Sequence, residues 1–312
     1  MSSTAVKQIT RVRTSGAPAK KQSTKAPFVM IAPFVALFVM FFAFPLIYSI
    51  GISFTSARTQ GFVGFQNYEY MFGLSAFWTG ILRVIYFGIV QVTVMIVCAV
   101  VLALFLDSPY ARGKRIFSTI YFLPYAVPSV IAAIMWGFLF TPQLNGLLRL
   151  PMELGLTSKP ISPLDPTTVL YAIMFIVTWE FTGYNMTIYM TSLSSIPREI
   201  LDAARIDGAS ELQIARRIKL PLLRRTLTFT LVLSIIGTLQ LFNEPSIIGE
   251  LTPIGTSYTP NLLIYTTAFS FNNIPVAAAM SVILAIITIA GSLAFFRLIR
   301  PRDERPTKRG RK

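Results

Sequence analysis

The chain has no histidine in its 312 residues. That excludes Ser–His triads, imidazole acid–base catalysis and His-ligated metals. It has one cysteine, Cys98, inside an apolar run, so it forms no intramolecular disulfide and no cysteine metal cluster. Acids are scarce, with 13 Asp and Glu against 28 Lys and Arg. No Gly-x4-Gly-Lys-Ser/Thr occurs, so any ATP used is not hydrolysed by a P-loop of this chain. Charged residues make up 13%, where a soluble domain carries about 25%. Nothing in this composition calls for a catalytic residue, a cofactor or a metal.

What is present is apolar. The hydrophobic share is 54% and the mean hydropathy +0.62. A hydrocarbon core about 30 Å thick needs ~20 helical residues, and charge-free stretches give the ruler. They predict spans at about 28–53, 78–106, 117–140, 167–193, 225–248 and 276–298. The first is too long for a signal h-region and no small-residue cleavage site comes after it, so it reads as a retained span. Pro124 and Pro128 should kink the third. The fold class expected is all-α: a polytopic membrane protein with six transmembrane helices and a cytosolic helix-turn-helix loop.

Six spans place both termini on one side. Segment 1–27 carries six Lys/Arg, loop 107–116 three, loop 194–225 seven and segment 297–312 eight, together 24 of the 28 basic residues. By the positive-inside rule these segments face the cytosol. The net charge of +15 therefore reads as topogenic and lipid-facing rather than as a nucleic-acid footprint. The expected organisation is a basic cytosolic tail at 1–27, a transmembrane domain at 28–300 containing loop 194–225, and a second basic tail at 301–312.

Loop 194–225 has strong local helix signals. Pro197 suits a helix start, with Ser194 and Ser195 as candidate N-caps. Asp207-Gly208 breaks the helix, since Gly takes the left-handed conformation that closes one. Ser210-x-x-Gln213 fits a capping box for a second helix, with Leu212, Ala215 and Ile218 spaced along one face. Pro221 marks the return to the membrane. Helices this short are marginal alone in water, which argues for a protein that holds them. A solvated connector and a DNA-binding helix-turn-helix are the alternatives. The latter lacks a third helix to build a core.

Asp202-Ala203-Ala204-x-x-Asp207-Gly208-Ala209, and then Ile218-x-Leu220-Pro221, resembles the EAA loop of ABC importer permeases. Asp202 stands where that family usually has Glu. The resemblance covers about 28–300. Phe62-Val63-Gly64-Phe65-x-Asn67-Tyr68, Phe122-Leu123-Pro124, Trp136, Trp179, Gly183-Tyr184-Asn185 and Ile196-Pro197 are similar to sugar permeases of the maltose and glycerol-phosphate type. It implies that Asp202, Ala203, Ala204, Asp207, Gly208, Ala209, Ile218 and Pro221 form a coupling element on a cytosolic ATPase. It also implies a second homologous permease subunit, two cytosolic ABC ATPase subunits, an extracytoplasmic solute-binding protein and a bacterial cell membrane as the location.

Polar groups within spans default to functional candidates. These are Glu180, Tyr184 and Asn185 in the fourth span, Gln240, Asn243 and Glu244 late in the fifth, and Gln91 in the second. Trp179, Tyr184 and Phe242 offer aromatic faces for a sugar. The structural alternative is that amides bond to neighbouring helices and that Glu180 pairs with Arg83. Glu244 is expected near the external end. The Pro-rich external segment 249–275 reads either as a contact for a binding protein or as a plain connector. A glycerol-3-phosphate permease is the near alternative to a sugar permease. A stand-alone secondary transporter leaves loop 194–225 unexplained, and an intramembrane enzyme would rest on the isolated Glu180.

Overall fold

The computed structural model describes residues 26–59 and 61–299. The expected basic tails fall almost wholly outside these residues. The chain divides after Ser49 into two units. The first holds most of α1 (Phe28–Ile52), which is apolar along its length and buries none of its residues through Ser49. Pro33 sits within it and a π-helical turn occupies Val39–Ala43.

The second unit is all-helical apart from an isolated bridge, Thr55–Phe62, among the described residues. Asn67 locks this opening segment by donating to the carbonyls of Ser53 and Thr55, each at 2.8 Å. Next come α2 (Gln66–Phe72), α3 (Ser75–Asp107), α4 (Lys114–Phe122), α5 (Ser129–Leu139) and α6 (Val169–Ser194). The loop supplies α7 (Arg198–Ile206) and α8 (Glu211–Leu222). The unit is completed by α9 (Arg224–Leu239), α10 (Asn243–Leu251), α11 (Pro260–Tyr265) and α12 (Ile274–Ile299).

Among the described residues three helices are long and apolar enough to cross a membrane: α1, α3 and α12. Two bent pairs, α4 with α5 and α8 with α9, raise the number to five. Helix α6 has the length at 26 residues. Thr178, Glu180, Tyr184 and Asn185 dilute its hydropathy.

Two expected spans are broken. The third is not one kinked helix but two helices at 96°. Pro128 offers no N–H, and the residue before a proline is pushed out of the helical region. Val127 accordingly sits at φ −80°, ψ 127°. The fifth ends at Leu239 and restarts at Asn243. Segment 249–275 contains α11 and a π-helical turn at Thr266–Ser270.

Helices α3 and α6 pack most extensively. Without water to drive association, membrane helices meet through small residues and hydroxyl pairs. Gly183 of α6 lies so close to α4 that an added Cβ would collide with the Tyr121 carbonyl. Tyr189 and Thr230 hydroxyls meet at 2.7 Å, and Ser192 and Thr226 at 2.9 Å, tying α6 to α9. One core cluster gathers Phe87, Ile173, Ile176, Leu241 and Ile248 around the half of this bundle far from the loop. Another joins Ala103, Leu106, Tyr189, Leu193 and Leu223 at the end next to the loop.

Candidate coupling loop and substrate cavity

Helix α7 is strongly amphipathic, with Ile200, Leu201 and Ile206 interspersed among charged residues and alanines. Its start is not capped as expected. Pro197 takes the N-cap position without a side-chain bond. The Ser194 and Ser195 hydroxyls instead donate backwards to the carbonyls of Thr191 and Ser192, both at 2.7 Å. They serve the C-terminus of α6, whose last carbonyls lack helical partners.

The turn is glycine-specific. Gly208 has φ +81°, a left-handed backbone that costs a residue with a side chain about 1–2 kcal/mol. Ser210 then opens α8 with both bonds of a capping box. Gln213 N–H donates to the Ser210 hydroxyl, and Ser210 N–H donates to Gln213 Oε1. Arg205 straps the two helices across the turn, reaching Asp202 Oδ1 at 2.7 Å and Glu211 Oε1 at 2.8 Å. The Glu211 bond, then the Asp202 bond, hold its guanidinium pKa above the ordinary value.

Asp202, Ala203, Asp207 and Gly208 are exposed, with Ala204 and Ala209 half-buried beside them. Ile206 at 86% and Leu212 at 77% exposure flank the same turn. The inward contact of α8 is therefore Ile214, fully buried, and not Leu212. Ile218 is half-buried. Pro221 is exposed and lies inside a helical turn, and the chain bends by 62° only after it.

The broken helices enclose a cavity of about 590 Å³. Its walls come from α3 (Phe87, Gln91, Met95), α6 (Phe181, Tyr184, Asn185), α9 (Thr230, Ser234, Gly237, Thr238) and the α9–α10 break (Gln240 to Glu244). The α4–α5 break adds Tyr125 and Ser129. Among the described residues no Lys or Arg lines it. Tyr125 stacks on Tyr184 with centroids 4.5 Å apart, and Phe181 meets Tyr125 edge-on at 5.7 Å. Asn243 Nδ2 donates to Ser129 Oγ at 2.8 Å across the two breaks. Asn185 Nδ2 donates to the Phe181 carbonyl at 3.0 Å.

Of the five path candidates, Tyr184, Asn185, Asn243 and Glu244 line this one cavity. Glu180 does not. It is buried at 3% exposure outside the lining, with one carboxylate oxygen lacking a hydrogen-bond partner. Nor does it pair with Arg83. That guanidinium donates to the Tyr258 carbonyl at 2.8 Å and lies 4.4 Å from the Tyr258 ring centroid. Burial raises the Tyr258 pKa, with Arg83 opposing. Glu244 is buried at 6% exposure against the cavity. Sequence reasoning missed Tyr125, Ser129 and Phe181. The signal was there in Pro124-Tyr125 and Pro128-Ser129, polar side chains next to helix breaks, where backbone irregularity inside a membrane accompanies a cavity.

Residues 95–305 match the family described as binding-protein-dependent transport system inner membrane component. The chain belongs to that family. This permease is 32% identical over 276 residues to the lactose transport system permease protein LacF of Rhizobium radiobacter, covering 86% of this chain and 92% of LacF. It is 28% identical to the sn-glycerol-3-phosphate transport system permease protein UgpA of Salmonella choleraesuis, over 88% and 93% of the two chains. Its fold matches a chain of a bacterial ABC transporter involved in import of the acidic polysaccharide alginate, with a TM-score of 0.77 at 21% identity over 88% and 94%. The permease is a multi-pass membrane subunit of an ABC importer, a transport protein and not an enzyme.

Proposed function

We propose that the permease carries an uncharged mono- or oligosaccharide through the cavity between α3, α6 and α9, driven by a cytosolic ATPase docked on loop 194–225. The observation that carries the substrate reading is the cavity lining. It offers stacked tyrosines, amides and hydroxyls, one carboxylate and no cation among the described residues. Sugar rings bury apolar faces on aromatics and spend their hydroxyls on amides and carboxylates. A phosphate calls for Arg or Lys, and Arg83 is engaged by Tyr258. That tilts the reading away from glycerol-3-phosphate, the cargo in the name of one relative.

In this reading Tyr184, Asn185, Asn243 and Glu244 contact the sugar, with Tyr125, while Glu180 stays behind the wall. Asp202, Ala203, Ala204, Asp207, Gly208 and Ala209 present a low, polar surface to the ATPase. Ile218 and Pro221 shape the return to the membrane. Six crossings place both termini in the cytosol, as the basic loops require. The family description supports an extracytoplasmic binding protein. One wall of a path is a half, so a second, homologous permease completes it, above two ATPase subunits.

Affinity purification from detergent-solubilised membranes, then uptake of labelled lactose and labelled glycerol-3-phosphate, tests this. The expected result is co-purification of an ATP-binding protein and a second permease, with sugar and not phosphate-ester uptake. A chain that purifies alone points to the stand-alone transporter. Uptake of glycerol-3-phosphate over sugar overturns the substrate reading.

A further inference from the structure

We infer that the ion pair between Asp107 and Lys219 is the joint through which movement of loop 194–225 reaches α3, which makes these two positioning residues for transport. The inference rests on the coupling reading of that loop and deepens it. Asp107 is the last residue of α3. Lys219 ends the π-helical turn Ala215–Lys219 within α8. Lys219 Nζ lies 2.6 Å from Asp107 Oδ2, with the lysine side chain 4% exposed and the carboxylate 27%. The other two ion pairs among the described residues, both from Arg205, stay inside the loop. This one joins the loop to a long membrane helix.

The chemistry favours a tight joint. Breaking a pair that includes a buried charge by removing one partner is costly. Asp107 sits at a helix C-terminus, where the backbone dipole disfavours an anion. Lys219 offsets that. Lys114 Nζ approaches the Asp107 backbone carbonyl at 3.4 Å, leaving the carboxylate to Lys219. A π turn inserts a residue into the helix and rotates the side chains beyond it. Here it places Lys219 and, four residues on, Leu223 against the bundle. Leu223 is 1% exposed and packs in the cluster with Leu106 and Leu193. The loop's exit is thus held to α3 by a charge pair and to the bundle by the buried Leu223.

From that joint α3 runs as one unbroken helix to the cavity wall. Gln91 lies about 24 Å along the axis from Asp107 at 1.5 Å per residue. A helix held at one end transmits a displacement to its middle without bending, as long as the end does not slip. Slip is what the pair prevents.

The test reads cavity access without needing the cargo. Gly237 lines the cavity, and a Cβ there meets open space. A Gly237→Cys reporter in a Cys98→Ala background is labelled with N-ethylmaleimide in membranes holding the full complex, with and without ATP plus vanadate. Co-purifying ATP-binding protein and chain abundance are measured in the same membranes. In the parent, nucleotide changes the labelling rate at least about threefold. Lys219→Met removes that response with ATPase association and abundance unchanged, and Lys219→Arg keeps it. Adding Asp107→Asn to Lys219→Met causes no further loss. A Lys219→Met chain that still responds overturns the joint and leaves docking intact. A Lys219→Met chain that is degraded or loses the ATPase marks a bond of folding or docking, and also overturns it. A parent chain with no ATP-binding protein attached overturns the coupling reading, and the joint with it.

Discussion

The ring of Tyr125 lies stacked on that of Tyr184, centroids 4.5 Å apart and planes 22° from parallel. Tyr125, between Pro124 and Pro128, belongs to a 3-10 turn, and Tyr184 to the middle of a continuous helix. The stack therefore holds a broken segment against an unbroken one, with both hydroxyl-bearing rings at the cavity.

Replacing Tyr184 with Ala removes that stack and one aromatic face. An aromatic pair is worth roughly 0.5–1.5 kcal/mol beyond area burial. The KM for uptake of the transported sugar should rise ~3–10-fold on this basis, while Tyr184→Phe stays near the parent. Equal uptake kinetics in Tyr184→Ala would remove this residue from the path.

Asn243→Ala breaks the 2.8 Å bond to Ser129 that bridges the two helix breaks. A net hydrogen bond is worth about 1 kcal/mol, so uptake affinity or rate should change by about fivefold. Complex assembly, monitored by co-purification, should not change. An unaltered transport profile sinks the assignment.

Gly183→Ala puts a methyl group where the Tyr121 carbonyl already is. The obstacle is backbone, so relief requires α4 and α6 to separate. Overpacking of this kind costs about 1–3 kcal/mol. Thermal unfolding in detergent should show a lower Tm for Gly183→Ala. Gly291→Ala is the control, since a Cβ there meets nothing within 4 Å. Matching Tm values for the two variants would contradict the close crossing.

Gly208→Pro attacks the loop turn alone. It forces φ from +81° to the proline value and removes the N–H that donates to the Arg205 carbonyl at 3.0 Å. The chain should remain in the membrane at parental abundance, with sugar uptake lost and less ATP-binding protein co-purified. Surviving transport would show that the turn does not couple.

The loop was legible because its signals are local. Gly208 and the Ser210–Gln213 box act within a few residues, and both are formed. The N-cap at Ser194 or Ser195 was misplaced because a hydroxyl can bond backwards as well as forwards, and the end of α6 took both. The cavity was legible only in part. Tyr184, Asn185, Asn243 and Glu244 were marked by the cost of polar groups in lipid. Tyr125 and Ser129 were hidden because two prolines in an apolar run read as a kink, and only packing shows a 96° break.

By itself, the sequence determined what each segment must do with its surroundings. Apolar length marked where membrane helices were to be expected, and basic charge their expected sidedness. Glycine and capping residues set the loop turn. Transfer free energies and backbone sterics govern these features, and both act over a few residues. Tertiary structure alone decided which polar groups share a cavity, that Arg83 serves Tyr258 and not Glu180, and that Lys219 meets Asp107 across 112 positions of sequence. A charge's partner depends on which helices cross and at what height, and no local pattern encodes that.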